Sequence, residues 1–328
     1  YIGPSNRYVL RSAVRLFVHF DELELPHSYL RKYSNLKNDP WLLSAEIALS
    51  TLRGRNSKFI KAGLNLLDSK KHTSFSTTEL SAAIGTVELF NGTLKKTKKL
   101  FLQSLECPND NSLAQVEWAT NKDRLFNLDP NEFNNVSNKY EALSIDSYHN
   151  NNWEQTIINS EKWFLDSPFS KSPIMLGSHV SLAYLDLPNQ SIEFCKAGLV
   201  SHPNDPQLIN NISYSYGLLN NTEKADSFIN KVNIDQVEDS VTKNCLLATK
   251  GLIEFRKKNY EKGRGLYLEV IEKTKTIKDK RLNHLAILNL AREELISGSK
   301  EKQFVNDVIS KINVSSDDFD VKILKEKV

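Results

Sequence analysis

Apolar and polar positions along this chain alternate on a helical period, and they do so in paired segments. NKYEALSIDSYHNNNWEQTIINSEKWFLDSP, IMLGSHVSLAYLDLPNQSIEFCKAGLVSHP, PQLINNISYSYGLLNNTEKADSFINKVN and CLLATKGLIEFRKKNYEKGRGLYLEVIEK each run from one helical apolar stripe, through a short polar break, into a second. Apolar residues three and four positions apart share one face of a helix, so each segment predicts a helix–turn–helix unit.

Small residues mark these units. One recurs in each first helix, at Ser144, Ser181, Ser213 and Gly251, and another in each second helix, at Thr156, Ser191, Ala225 and Gly263. The second set repeats at intervals of 35, 34 and 38 residues, and the two members of a unit are 12, 10, 12 and 12 apart. Antiparallel helices joined by a tight turn approach closely only where side chains are small. Large residues beside those points (Trp153, Tyr184, Phe194, Tyr216, Phe228, Tyr260 and Tyr267) then fill the space between one pair and the next. A single pair leaves an apolar face exposed, so stacking of pairs buries the core.

The N-terminal half repeats the theme less regularly. Ser50 and Ala62 are twelve apart, as are Gly85 and Thr97, with Phe101 and Ser104 following in helical register. An opening pair falls at about residues 7–37. Between 110 and 136 one clear helix is followed by a degenerate partner. The expected organisation is repeats over 1–109, a degenerate repeat or bend over 110–136, regular repeats over 137–298, and a C-terminal capping helix and tail over 299–328.

This pattern resembles the tetratricopeptide repeat, a 34-residue helix–turn–helix unit with small residues at the helix crossing, an aromatic after the turn and often a Pro closing the second helix. WFLDSP, ending at Pro168, and KAGLVSHP, ending at Pro203, match that close. Proline cannot extend the preceding hydrogen-bond ladder. The resemblance implies an all-α fold, a helical-hairpin repeat solenoid wound as a superhelix of about eight to nine helix pairs, some degenerate.

Composition agrees. Of 328 residues, 40% are hydrophobic, enough for a packed core, and only 12 Gly and 10 Pro argue against a turn-rich all-β chain. Cys107, Cys195 and Cys245 are too sparse and too few for a disulfide framework and fit a reducing, cytoplasmic setting. No run approaches the ~18 apolar residues of a membrane span, so no membrane insertion is expected. The start, YIGPSNRYVLRSAVRLF, has no initiator Met and no signal-peptide pattern, and it reads as part of a longer protein with any effector domain elsewhere.

Catalytic motifs are missing from the sequence. There is no phosphate-binding GxxxxGK[ST], no GxSxG and no HExxH. The GRG at 263–265 places Gly263 on a helix crossing, so it reads as packing. Seven histidines (His19, His27, His72, His149, His179, His202 and His284) lie apart, none at metal-ligand spacing with a Cys or a second His. Cys195 and Cys245 sit among apolar neighbours and read as buried small hydrophobes. Asp317–Asp318 and Glu293–Glu294 are sequence neighbours, which point apart on a helix. The expectation is a non-enzyme without cofactor or metal.

Charge is distributed in blocks. Residues 1–100 carry 16 basic against 8 acidic groups, 101–240 carry 8 against 19, and 241–300 carry 14 against 7. The basic runs TLKKTKKLF, EFRKKNYEKGRG and EKTKTIKDKR leave three readings open: solvated outer faces, docking surfaces for an acidic protein segment, or contacts to nucleic-acid phosphates.

The resemblance also implies where a partner lies, because in this family the first helix of each pair lines the concave face. Mapped this way, the groove positions are Glu141, Ile145, Tyr148 and His149, then Ser178 and Leu182, then Asn210 and Tyr214, then Phe255 and Arg256. Chaperone-adaptor members clamp a terminal carboxylate with a Lys/Asn pairing, but the matching positions here, Asn210, Tyr214, Ala248 and Leu252, do not supply it. The expected function is a protein-interaction scaffold or adaptor binding a peptide or protein segment in this groove. A regulatory or sensor domain for an absent effector, and a nucleic-acid-associated scaffold, are the alternatives.

Overall fold

The structure is a computed structural model that describes residues 6–123, 127–300, 302–314 and 318–328. Of the readings above, that on Asp317, with the neighbouring Ser315 and Ser316, lies outside them. The described residues form eighteen α-helices and no strand. In order they are α1 (Arg7–His19), α2 (Glu24–Lys32), α3 (Pro40–Leu52), α4 (Ile60–Asp68), α5 (Ser74–Phe90), α6 (Leu94–Ser104), α7 (Asp110–Asp123), α8 (Tyr140–His149) and α9 (Trp153–Asp166). Then follow α10 (Ser172–Ala183), α11 (Pro188–Ser201), α12 (Pro206–Leu218), α13 (Thr222–Ile229), α14 (Ser240–Arg256), α15 (Tyr260–Thr276), α16 (Lys280–Ile296), α17 (Lys302–Ser310) and α18 (Phe319–Lys327).

The chain falls into two compact units, Tyr1–Pro173 and Ile174–Val328. In the first, α3, α5 and α7 pack side by side, α5 pairs with α6, and α8 pairs with α9. Its largest core runs through Leu30, Leu42, Leu43, Ile47, Leu80 and Ile84. After α7 the described chain holds only a 3-10 turn, Pro130–Glu132, so α7 packs directly on α8. In the second unit α12, α14 and α16 pack in succession, α12 pairs with α13, and α14 pairs with α15. This is the all-α, tetratricopeptide-like helical-hairpin architecture that the sequence pattern implies.

The turns inside the hairpins repeat as strictly as the helices. Asn151, Asp186, Asn220 and Lys258 all have φ between 56° and 68° and follow a first helix at intervals of 35, 34 and 38 residues. A left-handed residue there closes the helix, as the next amide bonds back to a carbonyl of the last turn. Asn152 N donates to Ser147 O at 2.8 Å, Asn221 N to Tyr216 O at 2.9 Å, and Asn259 N to Glu254 O at 2.9 Å. Asn tolerates this conformation best among residues with a side chain. The second Asn then starts the next helix: Asn152 Oδ1 accepts from Gln155 N at 3.3 Å, and Asn221 Oδ1 from Lys224 N at 3.2 Å. In both places an Asn-Asn dipeptide stops one helix and caps the next.

Helix crossings fall where small residues permit. Ser144, Thr156, Ser181, Ser191, Ser213 and Ala225 are fully buried. At the α14–α15 crossing a Cβ on Gly263 would stand 2.9 Å from Gly251 O, so the two backbones touch. One crossing differs from the expected register. Ala62 is half-buried, and the close approach falls at Gly63, whose added Cβ would lie 2.8 Å from Ile84 Cδ1. In α10 Gly177, one turn before Ser181, also makes a close approach, where a Cβ would lie 2.4 Å from Phe194 Cζ. There the Phe194 ring, larger than any helix-to-helix backbone contact requires, selects the glycine.

No helix among the described residues is long and apolar enough to cross a membrane. No group of three or more His, Cys, Asp or Glu among them could hold a metal ion.

Candidate interaction groove

In the second unit the first helices of successive pairs enclose a cavity of about 290 Å³. Each helix contributes residues three or four apart, as one face of a helix must. From α12 come Asn210, Asn211, Tyr214 and Leu218; from α14 Val241, Cys245, Ala248 and Thr249; from α16 Leu285, Ala286, Asn289 and Arg292. His179, Leu182 and Ala183 of α10 add the fourth wall, and Asp320, Leu324 and Lys327 of α18 add a lid. α18 is held there by its buried Val321, packed with Leu288 and Ile312, and by the ion pair of Arg281 with Asp320.

A polar network crosses this surface. Tyr214 Oη donates to Asn289 Oδ1 at 3.0 Å and accepts from Arg292 Nη1 at 3.2 Å. Arg292 Nε donates to Glu293 Oε1 at 3.0 Å, and Arg256 Nη2 donates to the same oxygen at 3.0 Å. Two guanidinium groups therefore share one buried carboxylate. Further along, Thr249 Oγ1 donates to Asn210 Oδ1 at 2.8 Å, and Asn211 Nδ2 donates to Ser178 Oγ at 3.2 Å.

The expected groove positions divide on inspection. Leu182, Asn210 and Tyr214 line the cavity. Ser178 does not: it is fully buried and bonded to Ser191 Oγ at 2.8 Å, because it sits on the side of α10 that faces α11. Phe255 is also unavailable at 4% exposure, since its ring packs against Tyr260 and Tyr267 in the core. Arg256 is half-buried and turned to Glu293. Glu141, Ile145, Tyr148 and His149 lie on α8 in the first unit, where Glu141, Ile145 and Tyr148 are half-buried and His149 is exposed. Burial pushes the Glu141 carboxyl up to about 7, with Arg15 opposing the rise.

Sequence reasoning missed Asn289, Arg292 and the whole contribution of α18. The signal for the first two was present: Asn289 and Arg292 are three apart on α16 and so share one face. Nothing in the local pattern of α18 says that it folds back onto α16.

Of the two thiols expected to be buried, Cys195 is fully so, while Cys245 is half-buried on the cavity wall. Burial pushes both Cys195 and Cys245 up to about 11, which keeps them protonated at neutral pH. Of the basic runs, that on α15 is largely neutralised, with Lys262 on Glu254 at 2.9 Å, Lys273 on Glu269 at 2.5 Å and Lys275 on Glu272 at 2.7 Å. On α6, Lys95, Lys96, Lys98 and Lys99 are exposed around the buried Thr97.

No protein-family model matches the sequence. No curated protein matches it either. Among solved structures the chain is similar to a tetratricopeptide repeat protein from Parabacteroides merdae, at 12% identity over 85% of this chain and 98% of that one, with a TM-score of 0.37. It is also similar to the TPR domain of P58(IPK), at 12% identity over 98% of each chain, with a TM-score of 0.31. A third likeness is to the structure of Naa15/Naa10 bound to HypK-THB, at 12% identity over 95% of this chain and 62% of that one, with a TM-score of 0.35.

Proposed function

We propose that the chain is a non-catalytic scaffold whose second unit holds a segment of another protein in the groove between α10, α12, α14 and α16. The observation that carries this reading is the lining of the cavity: apolar walls from Leu182, Leu218, Val241 and Leu285, crossed by the amide, phenol and guanidinium groups of Asn210, Tyr214, Asn289 and Arg292. An apolar floor with a few fixed polar groups is how a peptide is gripped and aligned. The polar groups are already tied to one another, so little order has to be imposed on binding. In the same reading the protein works in the cytoplasm with no cofactor. Glu141, Tyr148 and His149 of the first unit form a second, smaller contact surface.

Selection of a random-peptide display library on the intact chain tests this. Val241 is 43% exposed at the mouth of the cavity, so Val241→Arg blocks the groove with little cost to folding. Selected peptides are expected to lose about tenfold or more in affinity for Val241→Arg and for Leu182→Arg. Peptides that bind these variants as tightly as the unaltered chain would place binding elsewhere.

A further inference from the structure

The charges around Arg292 do not balance. Arg256 and Arg292, with side chains 11% and 16% exposed, both donate to Glu293, itself 1% exposed. Two positive groups and one negative group leave one positive charge in a buried setting. Arg292 cannot shed it, since a guanidinium stays protonated in proteins. The carboxylate that acts most strongly on Arg292 is Glu293, beside the phenols of Tyr214 and Tyr267. The carboxylates of Asp186, Asp279 and Asp320 also line the cavity, but Asp320 pairs with Arg281 and Asp279 caps Leu282 N at the start of α16, while Asp186 stands in the turn after α10. At 1.5 Å rise per residue, Arg281 and Arg292 are separated by roughly 16 Å along the helix.

Hydrogen bonding gives the same answer independently. Nη1 of Arg292 is used by Tyr214 and Nε by Glu293, while the buried Nη2 has no acceptor among the described residues. A buried guanidinium N–H without an acceptor is costly, and buried polar groups are almost always paired. Arg292 lines the cavity with its side chain 16% exposed, so an acceptor in the groove meets the guanidinium, and a small turn of the side chain brings the enclosed Nη2 to it.

We propose that the segment held in this groove carries an aspartate or glutamate side chain that pairs with Arg292, flanked by apolar residues that cover Leu218 and Leu285. The proposal rests on the reading that the groove takes a protein segment, and adds the chemistry of that segment. An uncharged acceptor, such as a backbone carbonyl, would accept from Nη2 but leave the excess charge. A carboxylate satisfies both. With one Nη1 hydrogen on Tyr214 and Nε on Glu293, the second Nη1 hydrogen and the two on Nη2 remain to meet a carboxylate approaching from the cavity.

The test uses peptides selected on the intact chain from a random library whose members are C-terminally amidated, so that any carboxylate is a side chain. Peptides that are lost on Val241→Arg are expected to share an Asp or Glu. Changing that residue to Asn or Gln is expected to weaken binding at least about tenfold. Arg292→Gln is expected to weaken the acidic peptide and to leave the amide version unchanged. Because the ligand-side change leaves the protein untouched, the answer stands even if Arg292→Gln fails to fold. Groove-dependent peptides with no acidic residue, or with one whose amide binds equally well, would overturn this inference alone. Failure to select any peptide that depends on Val241 would overturn it together with the reading beneath it.

Discussion

Arg292 Nη1 donates to Tyr214 Oη at 3.2 Å, across 78 residues of sequence. The contact ties α16 to α12 over the small residue Ala248 of α14, and Tyr214 packs in the same cluster as Ala248. Tyr214→Phe keeps the ring and removes both hydrogen bonds, leaving Arg292 Nη1 and Asn289 Oδ1 without that partner. The expected loss is about 1–3 kcal/mol of stability in urea denaturation. An unchanged midpoint would show that the tie carries no energy.

Gly263 and Gly265 are two residues apart on α15 and should respond oppositely to the same change. Gly263→Ala forces a Cβ to within 2.9 Å of Gly251 O, and backbone cannot step aside cheaply. Gly265→Ala meets nothing within 4 Å. In a helix interior, Ala is favoured over Gly by roughly 0.5–1 kcal/mol. Thermal denaturation should show Gly265→Ala raising the midpoint and Gly263→Ala lowering it. Matching effects would contradict the assigned crossing.

Much of this was readable in the sequence. The small residues at 144, 156, 213, 225, 251 and 263 mark real crossings, because close approach leaves no choice of side chain. Ser181 is fully buried as read, but Gly177 one turn earlier was not singled out, since it is chosen by the Phe194 ring and that pairing depends on tertiary geometry. Ser178 and Phe255 were placed in the groove for a related reason: a helix of a stacked pair has three occupied sides, and periodicity does not say which side faces a neighbour. The lid, α18, was beyond local pattern entirely, because its position is set by Val321 meeting Leu288 and Ile312.

Glu117 of α7 gives a pH dependence. It is 2% exposed, and burial pushes its carboxyl from the ordinary 4.5 up to about 7, against a bond from Asn121. Between those values the folded chain keeps the proton and the unfolded chain releases it. This group's contribution to stability is therefore full below pH 4.5 and declines as pH rises to about 7. Glu117→Gln should gain about 3 kcal/mol relative to the parent between pH 4 and pH 8. Equal offsets at both pH values would show that Glu117 titrates normally.

The lid should open without loss of the helices beneath it. Val321 is fully buried, and Val321→Asp places a charge where α18 meets α16. Amide hydrogen exchange is expected to accelerate across α18, at least tenfold, while α12 and α14 keep their protection. Faster exchange throughout the second unit would make α18 a part of its core.

Photo-crosslinking tests the central claim, that the groove holds a protein segment, most directly. A benzophenone amino acid placed at Val241, at the cavity mouth, is compared with one at Val200 on α11, which is 83% exposed and outside the cavity lining. With a peptide selected on the intact chain, the account predicts an adduct at position 241, mapped by mass spectrometry, and none at 200. Adducts at 200 with none at 241 would contradict it.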